Sequence, residues 1–171
     1  MVQILKRLNT THQRKDIRSL PWARAYKIVL KDKNTALFSM TKTKAREKLF
    51  KWVGLFAQTN ISLISKKDST AVLSSSKEIK NYKFGVVRDD IGEQLLYTFD
   101  VKSTQIESAG GTGALQKLIK MLNKDRFDFL SYEVVVAAWE MKKLGLDIKD
   151  YKISFQLSQA QLYFAFNKKT D

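Results

Sequence analysis

The side chains able to do chemistry are few, and the missing ones narrow the field first. The chain holds no cysteine and a single histidine, His12. Thiol nucleophiles, disulfides and zinc-finger or iron–sulfur ligation are excluded. A Ser-His-Asp arrangement would have to use His12, and a cluster of histidine metal ligands is impossible. No cofactor is expected. What remains is a set of charged, hydroxyl and aromatic residues near the ends of predicted elements. Arg46 stands in the run Thr43-Lys44-Ala45-Arg46. Its planar guanidinium offers a two-pronged fork that suits a carboxylate, although a bare surface arginine would pair with Glu47 and contribute little. Ser39 and Thr41 close the preceding strand, where hydroxyls serve either a ligand or the local backbone. Trp22 and Arg24 open a helix; a tryptophan there stacks on a ligand or holds a cation against its face, or else it is core, the reading taken for Trp52 and Trp139.

A second group lies further along. Arg88, Asp90 and Ile91 occupy a strand-to-helix turn, where backbone N–H groups favour anions and where Asp90 also suits a helix cap. Tyr132 and Glu133 follow a later strand; Glu133 serves either a ligand or, as a first-turn acid, the helix dipole. The run Gly110–Gly113 lacks the Gly-Lys-Ser/Thr ending of a phosphate loop and reads as a plain loop with Thr112 capping the next helix.

These residues need elements to hold them. Pro21 suits the first turn of a helix over Trp22–Leu30, with Trp22, Ala25, Tyr26 and Val29 on one face. Thr35–Met40 reads as a buried strand, and Thr43 caps a helix over Lys44–Leu49. The segment Phe50–Phe56 is apolar, and Ile61–Ser65 alternates as a strand. From Lys83 onward the pattern is strand (Lys83–Val87), helix (Ile91–Thr98), short strand (Ile106–Ser108), helix (Ala114–Asn123), strand (Phe127–Ser131) and helix (Glu133–Leu144), ended by Gly145 as a C′ residue. Two more strands follow, at Tyr151–Leu157 and Leu162–Asn167. Such alternation predicts an α/β protein with mainly parallel sheets, in two small lobes joined near residues 66–82, with ligands held in a cleft at the strand ends. The division expected is a first lobe over 1–75, a second over 76–157, and a return strand into the first lobe over 158–171.

The 171 residues suit one domain or two small lobes, and an apolar share of 44% with 28% charged residues is that of a globular chain. The net charge is +14, from 31 basic and 17 acidic side chains. The lysines are scattered, no run reaches five like charges, and no nucleic-acid motif is present, so a nucleic-acid partner is not expected. No apolar run reaches the ~20 residues that span a bilayer, and the segment from Met1 to Leu8 lacks the apolar core of an export signal.

Five segments in chain order resemble the extracytoplasmic solute-binding proteins of family 3, the amino-acid-binding type that serves bacterial ABC transporters. They are Leu20-Pro-Trp-Ala-Arg-Ala-Tyr26; the run from Ala36 through Thr43-Lys44-Ala45-Arg46 to Gly54; Tyr82-Lys-Phe-Gly-Val-Val-Arg-Asp-Asp-Ile-Gly-Glu-Gln-Leu-Leu96; Arg126-Phe-Asp-Phe-Leu-Ser-Tyr-Glu133; and Leu162-Tyr-Phe-Ala-Phe-Asn-Lys168. The resemblance implies the type II periplasmic-binding-protein fold, two lobes closing by a hinge on a small ligand. It implies a receptor, not an enzyme, with an ABC permease as partner and a periplasmic location. Arg46 then binds the ligand carboxylate, Ser39 and Thr41 complete its cradle, and Trp22 and Arg24 face the cleft.

The departures are equally specific. Members of that family carry an aspartate just past the strand that ends near Ser131, to pair with the ligand α-ammonium; here Tyr132-Glu133 stand there. Either Glu133 or Asp128 substitutes, or the ligand is not an α-amino acid, since a buried ammonium without a carboxylate is costly. Small hydroxyl residues are common where Asp89-Asp90 stand. Members also extend beyond both ends of the region matched here, so the first lobe is expected to be incomplete. Two other functions remain open: an enzyme on the same scaffold, dehydratase-like, needing a cleft carboxylate of raised pKa among Asp89, Asp90 and Glu133, and a basic nucleic-acid binder needing a continuous basic face.

Overall fold

Two strands of 17 residues run the length of the fold and tie its parts together. The computed structural model describes residues 2–170. In chain order the helices are α1 (Val2–Arg7), α2 (Trp22–Lys31), α3 (Lys44–Glu47), α4 (Ile91–Tyr97), α5 (Ala114–Leu122) and α6 (Val134–Lys143). The strands are β1 (Ala36–Thr41), β2 (Phe50–Lys66), β3 (Phe84–Val87), β4 (Ile106–Ala109), β5 (Phe129–Glu133) and β6 (Tyr151–Asn167). They form one six-stranded sheet in the order β1-β6-β2-β5-β3-β4.

The expected mainly parallel sheet is found only at one end. β3 pairs parallel with β4 and β5, whereas β1–β6, β2–β6 and β2–β5 are antiparallel. The parallel part follows from helical crossovers, which return the chain to the same end of the sheet. The antiparallel part follows from β2 and β6 entering from opposite ends. The sequence reading split each of these strands in two. The break in β2 falls at Gly54 (φ 104°), where the register with β6 shifts between Val53 and Ala57.

Separate apolar cores form along these two strands. α2 packs Val29 against Met40 of β1, Phe50 at the start of β2 and Ala165 near the end of β6. At the far end, α5 and α6 close over Ile64, Val87 and Leu130, with Leu118, Ile119 and Met141 inside. On the opposite face Leu63, Phe84, Val86, Leu96 and Phe129 form a third core. Trp22 packs against both the first and the second of these, so it spans the junction between them. Trp52 joins the core beneath α2, as read, but Trp139 is 60% exposed and is not core. Its helix explains this: α6 buries only Ala137 and Met141, and Val135, Val136 and Trp139 lie on its solvent side.

Helix ends match their local sequence at α3 and α6, but Asp90 makes no side-chain capping bond at α4, and α5 also departs. Thr43 caps α3 by accepting the Arg46 N–H, and Gly145 takes a left-handed φ of 74° after α6. Thr112 does not cap α5; Gly113 holds that position with φ 75°, a conformation glycine adopts without cost. Among the described residues, no helix is long and apolar enough to cross a membrane.

Candidate binding site at the junction of two cores

Arg46 is the largest fully buried side chain, 1% exposed. A short helix holds it there: Thr43 fixes the first turn of α3, and Trp52 donates its indole N–H to the Glu47 carbonyl at 3.0 Å. The guanidinium lies against two aromatic rings of α2, 5.3 Å from the Trp22 centroid and 5.4 Å from that of Tyr26. Both distances are within cation–π range, and the two rings hold the planar group from α2.

The guanidinium also donates a hydrogen bond to the turn between β3 and α4. Nη2 donates to the Asp89 carbonyl at 3.1 Å, and the Trp22 indole N–H donates to the same oxygen at 2.8 Å. That carbonyl is aimed by an unusual backbone. Asp89 has φ 61°, in the left-handed region that Asp tolerates better than most residues, and Glu93 accepts its N–H at 2.6 Å. Two donors from the α2–α3 side thus meet one acceptor from the β3–α4 turn.

The remaining Arg46 donors are unmatched. Nε and Nη1 are buried and meet no hydrogen-bond partner among the described residues. Each such donor costs about 1–3 kcal/mol while unpaired, more for a charged group. Burial pulls the arginine below its ordinary pKa, with Asp90 and Tyr26 opposing that pull. The group stays cationic at neutral pH, since arginine does not deprotonate in proteins. A buried cation with open donors on two edges suits an anionic partner.

Around it stand two further titratable groups. Asp90 is half-buried, and burial lifts its carboxyl to about 6, against the opposing effects of the Ile91 N–H and Arg46. Burial also holds Tyr132 protonated well above the ordinary tyrosine value, with Asp90 and Glu133 adding to the effect. Trp22 and Tyr132 pack against the same core. Arg46, Trp22, Asp90 and Tyr132 are therefore brought into one neighbourhood.

The other sequence-predicted residues take different places. Thr41 is buried at the end of β1, paired with Leu162, while Ser39 is exposed in a bulge with φ 62°. Arg24 is exposed on the outer side of α2, beside Lys27 and Ile28 in a shallow surface groove. Arg88 is exposed next to Gly110. Glu133 caps α6, accepting the N–H groups of Val135 and Val136, and also takes the Thr59 hydroxyl. Tyr26 and the Asp89 carbonyl are parts of the site that the sequence reading did not assign. The apolar face containing Trp22 and Tyr26 pointed to the first; a backbone carbonyl carries no side-chain signature, so nothing pointed to the second. Among the described residues no group of three or more His, Asp or Glu side chains gathers to hold a metal.

No protein-family model matches the sequence, and no curated protein matches it. Solved structures do. A mutant of ArgBP from T. maritima superposes with a TM-score of 0.79 at 16% identity, covering 98% of this chain and 69% of that one. The substrate binding protein of an amino acid ABC transporter gives a TM-score of 0.74 at 18% identity, over 96% of this chain and 70% of that one. The GluR0 ligand binding core in complex with L-glutamate gives 0.77 at 13% identity, over 97% and 72%. In other ArgBP structures the share of the neighbour that is matched falls to 58% and 60%. All of these are binding proteins or binding cores. The likeness agrees with the family resemblance read from the five segments, and it establishes that this chain has the fold of the type II periplasmic binding proteins.

Proposed function

We propose that this chain is a solute-binding receptor that closes two lobes on a small molecule bearing a carboxylate, and that Arg46 is the anchor. The observation that carries the proposal is the buried guanidinium with Nε and Nη1 unmatched at the meeting of two packing units. A carboxylate would take one edge of the fork, pairing Nε or Nη1 with the neighbouring Nη2. Trp22 and Tyr26 would keep the fork planar and oriented. The units would be the lobes expected from sequence, near 1–75 and 76–157 with a return over 158–171, and β2 and β6 would be the connections on which they swing. Delivery to an ABC permease, and a periplasmic setting, follow only by analogy with the transporter protein among the structural neighbours.

The test is a thermal-shift panel of amino acids and simple organic acids. Binding to the folded state raises the melting temperature by an amount that grows with ligand concentration over Kd. At least one small carboxylate is expected to give a saturable shift that disappears in Arg46→Ala and is weakened in Arg46→Lys, which keeps the charge but loses the fork. A panel without any shift, or a shift unchanged in Arg46→Ala, sinks the proposal.

One observation favours a second reading, an enzyme on the same scaffold. Asp90, lifted to about 6 and half-buried beside Arg46, is poised near neutral pH as a general acid or base would be. Turnover of a small carboxylic acid, lost in Asp90→Asn while binding persists, would decide for it.

A further inference from the structure

α6 is apolar on two faces, and the fold uses only one of them. Ala137 and Met141 pack inward, while Val135, Val136 and Trp139 stand 73%, 42% and 60% exposed. Single apolar residues scattered over a surface are ordinary. These are not scattered: Val135, Trp139 and the exposed Lys142 follow at i, i+4 and i+7, the spacing of one helical stripe. The neighbouring helix adds charge. α5 closes over the same core as α6, and Gln116 joins the two by donating to Glu140 at 2.9 Å. Leu115, Leu118, Ile119 and Leu122 form the inner side of α5; Lys117 and Lys120 are exposed on its outer side, and Lys124 is exposed just beyond its end. Glu140 is the one acid of the two helices, and it is already taken by Lys143 and Gln116. The outer side of this layer is therefore an apolar ridge of Val135 and Trp139 bordered by lysines that no other acid of either helix offsets.

We infer that the α5–α6 layer is a docking face for an anionic lipid surface, with Lys117, Lys120, Lys124 and Lys142 against the headgroups and Trp139 and Val135 at the edge of the acyl region. The inference goes beyond the receptor reading and does not rest on it. Charge complementarity is its first support. The chain carries a net charge of +14, and each basic side chain held near an anionic membrane adds about fivefold to binding. The apolar ridge is the second. An indole sits well at headgroup depth, where its ring meets hydrocarbon and its N–H meets water, and lysine stems can lie along the apolar surface with their charges outward. The same ridge separates lipid from other anionic partners. A nucleic acid would stack a base on Trp139 but gain little from the aliphatic Val135 and Val136. A stable protein interface covers about 800 Å² on each partner, more than a ridge of three apolar side chains supplies.

The experiment is co-sedimentation of the full chain with vesicles of phosphatidylcholine alone, and with vesicles of phosphatidylcholine and phosphatidylglycerol in equal parts. Wild type is expected to bind the mixed vesicles about tenfold or more tightly than the neutral ones, and less tightly as salt rises. A diffuse attraction of the whole cationic chain would give the same two results, so the variants decide. Lys117→Gln combined with Lys120→Gln should weaken binding about tenfold or more. Lys77→Gln combined with Lys80→Gln removes equal charge from the Ser76–Asn81 turn, whose Ile79 packs in the core on the opposite face of the sheet. That pair should change binding by less than about threefold. Trp139→Ala should weaken it about fivefold or more, through the lost apolar contact. Wild-type tryptophan emission should shift to the blue on mixed vesicles, and the shift should vanish in Trp139→Phe, since Trp22 and Trp52 hold their indoles on main-chain carbonyls within the fold. All the replaced side chains are exposed, and circular dichroism verifies folding of each variant. Equal losses in the two lysine pairs, full binding in Trp139→Ala, or a blue shift that survives in Trp139→Phe overturns the assignment. So does a wild type that ignores the mixed vesicles, and one that retains single-stranded DNA in their place makes the layer a nucleic-acid face instead.

Discussion

At the scale of single residues, the site holds its charges at a cost to the fold. Asp90 is the clearest case. Burial pushes its carboxyl up to about 6, from an ordinary value of 3.8. A raised acid favours the folded state while protonated. Its contribution is fully present below the unfolded value and is lost as pH rises through the folded one. The difference amounts to at most about 3 kcal/mol, at 1.36 kcal/mol per unit. Asp90→Asn removes the titration. Urea unfolding should therefore find the variant more stable than wild type at pH 7.5 by about 1–3 kcal/mol, with the gap closing toward pH 4. A variant that is equally or less stable at pH 7.5 would show that Asp90 is already well paired in the folded protein. Arg46 carries a like burden, since two buried donors go unmatched. Sites built for a ligand commonly retain such strain, because its relief is what the ligand supplies.

At the scale of elements, close packing sets where these charges stand. α4 lies against β5 so tightly that a Cβ at Gly92 would sit 2.4 Å from the Ser131 carbonyl oxygen, and Ser131 Oγ donates to the Gly92 carbonyl at 2.9 Å. Gly92→Ala should force α4 away from β5 and cost about 1–3 kcal/mol. For a chain of this size that is a fall in Tm of about 3–10 °C, readable by circular dichroism. Because Asp90 precedes α4 and Tyr132 lies in β5, the same shift should weaken ligand binding; an unchanged Tm would contradict the packing. The elements were unevenly legible in the sequence. α2 and α5 show strong helical periodicity, whereas α6 carries apolar residues on its solvent side and is marked by its ends, Glu133 and Gly145. β2 and β6 do not read as single strands, because Gly54 and Gln58-Thr59-Asn60 interrupt one, and Ser158-Gln159 and Gln161 interrupt the other. Those positions lie where the strands pass from one core to the next, so neither face has to be apolar there. The site was legible to the same uneven degree. The run Thr43-Lys44-Ala45-Arg46 marks the proposed anchor by its side chains, whereas the acceptor opposite it is a main-chain oxygen at Asp89.

At the scale of the whole molecule, the proposed lobes are joined by main chain and by side chains. Besides the two long strands, the contacts include Trp22, shared between two cores, and the Trp22 and Arg46 donors converging on one carbonyl. Such a junction suits a two-state closure, because these side-chain contacts can part while β2 and β6 bend. Trp22→Phe tests it directly. Phenylalanine keeps much of the apolar contact and removes the indole N–H, a hydrogen bond worth about 1 kcal/mol net, or roughly a fivefold change in an equilibrium. The ligand-free variant should shift toward an open arrangement, with a larger radius of gyration in small-angle scattering than wild type. A saturating ligand, by binding the closed form, should erase that difference. Apparent affinity should fall by no more than the same factor, because only the population of the competent state has changed while Arg46 and Asp90 are intact. If instead the radius is unchanged and affinity drops far more than fivefold, Trp22 is contacting the ligand itself, and the closure must be held elsewhere along the junction.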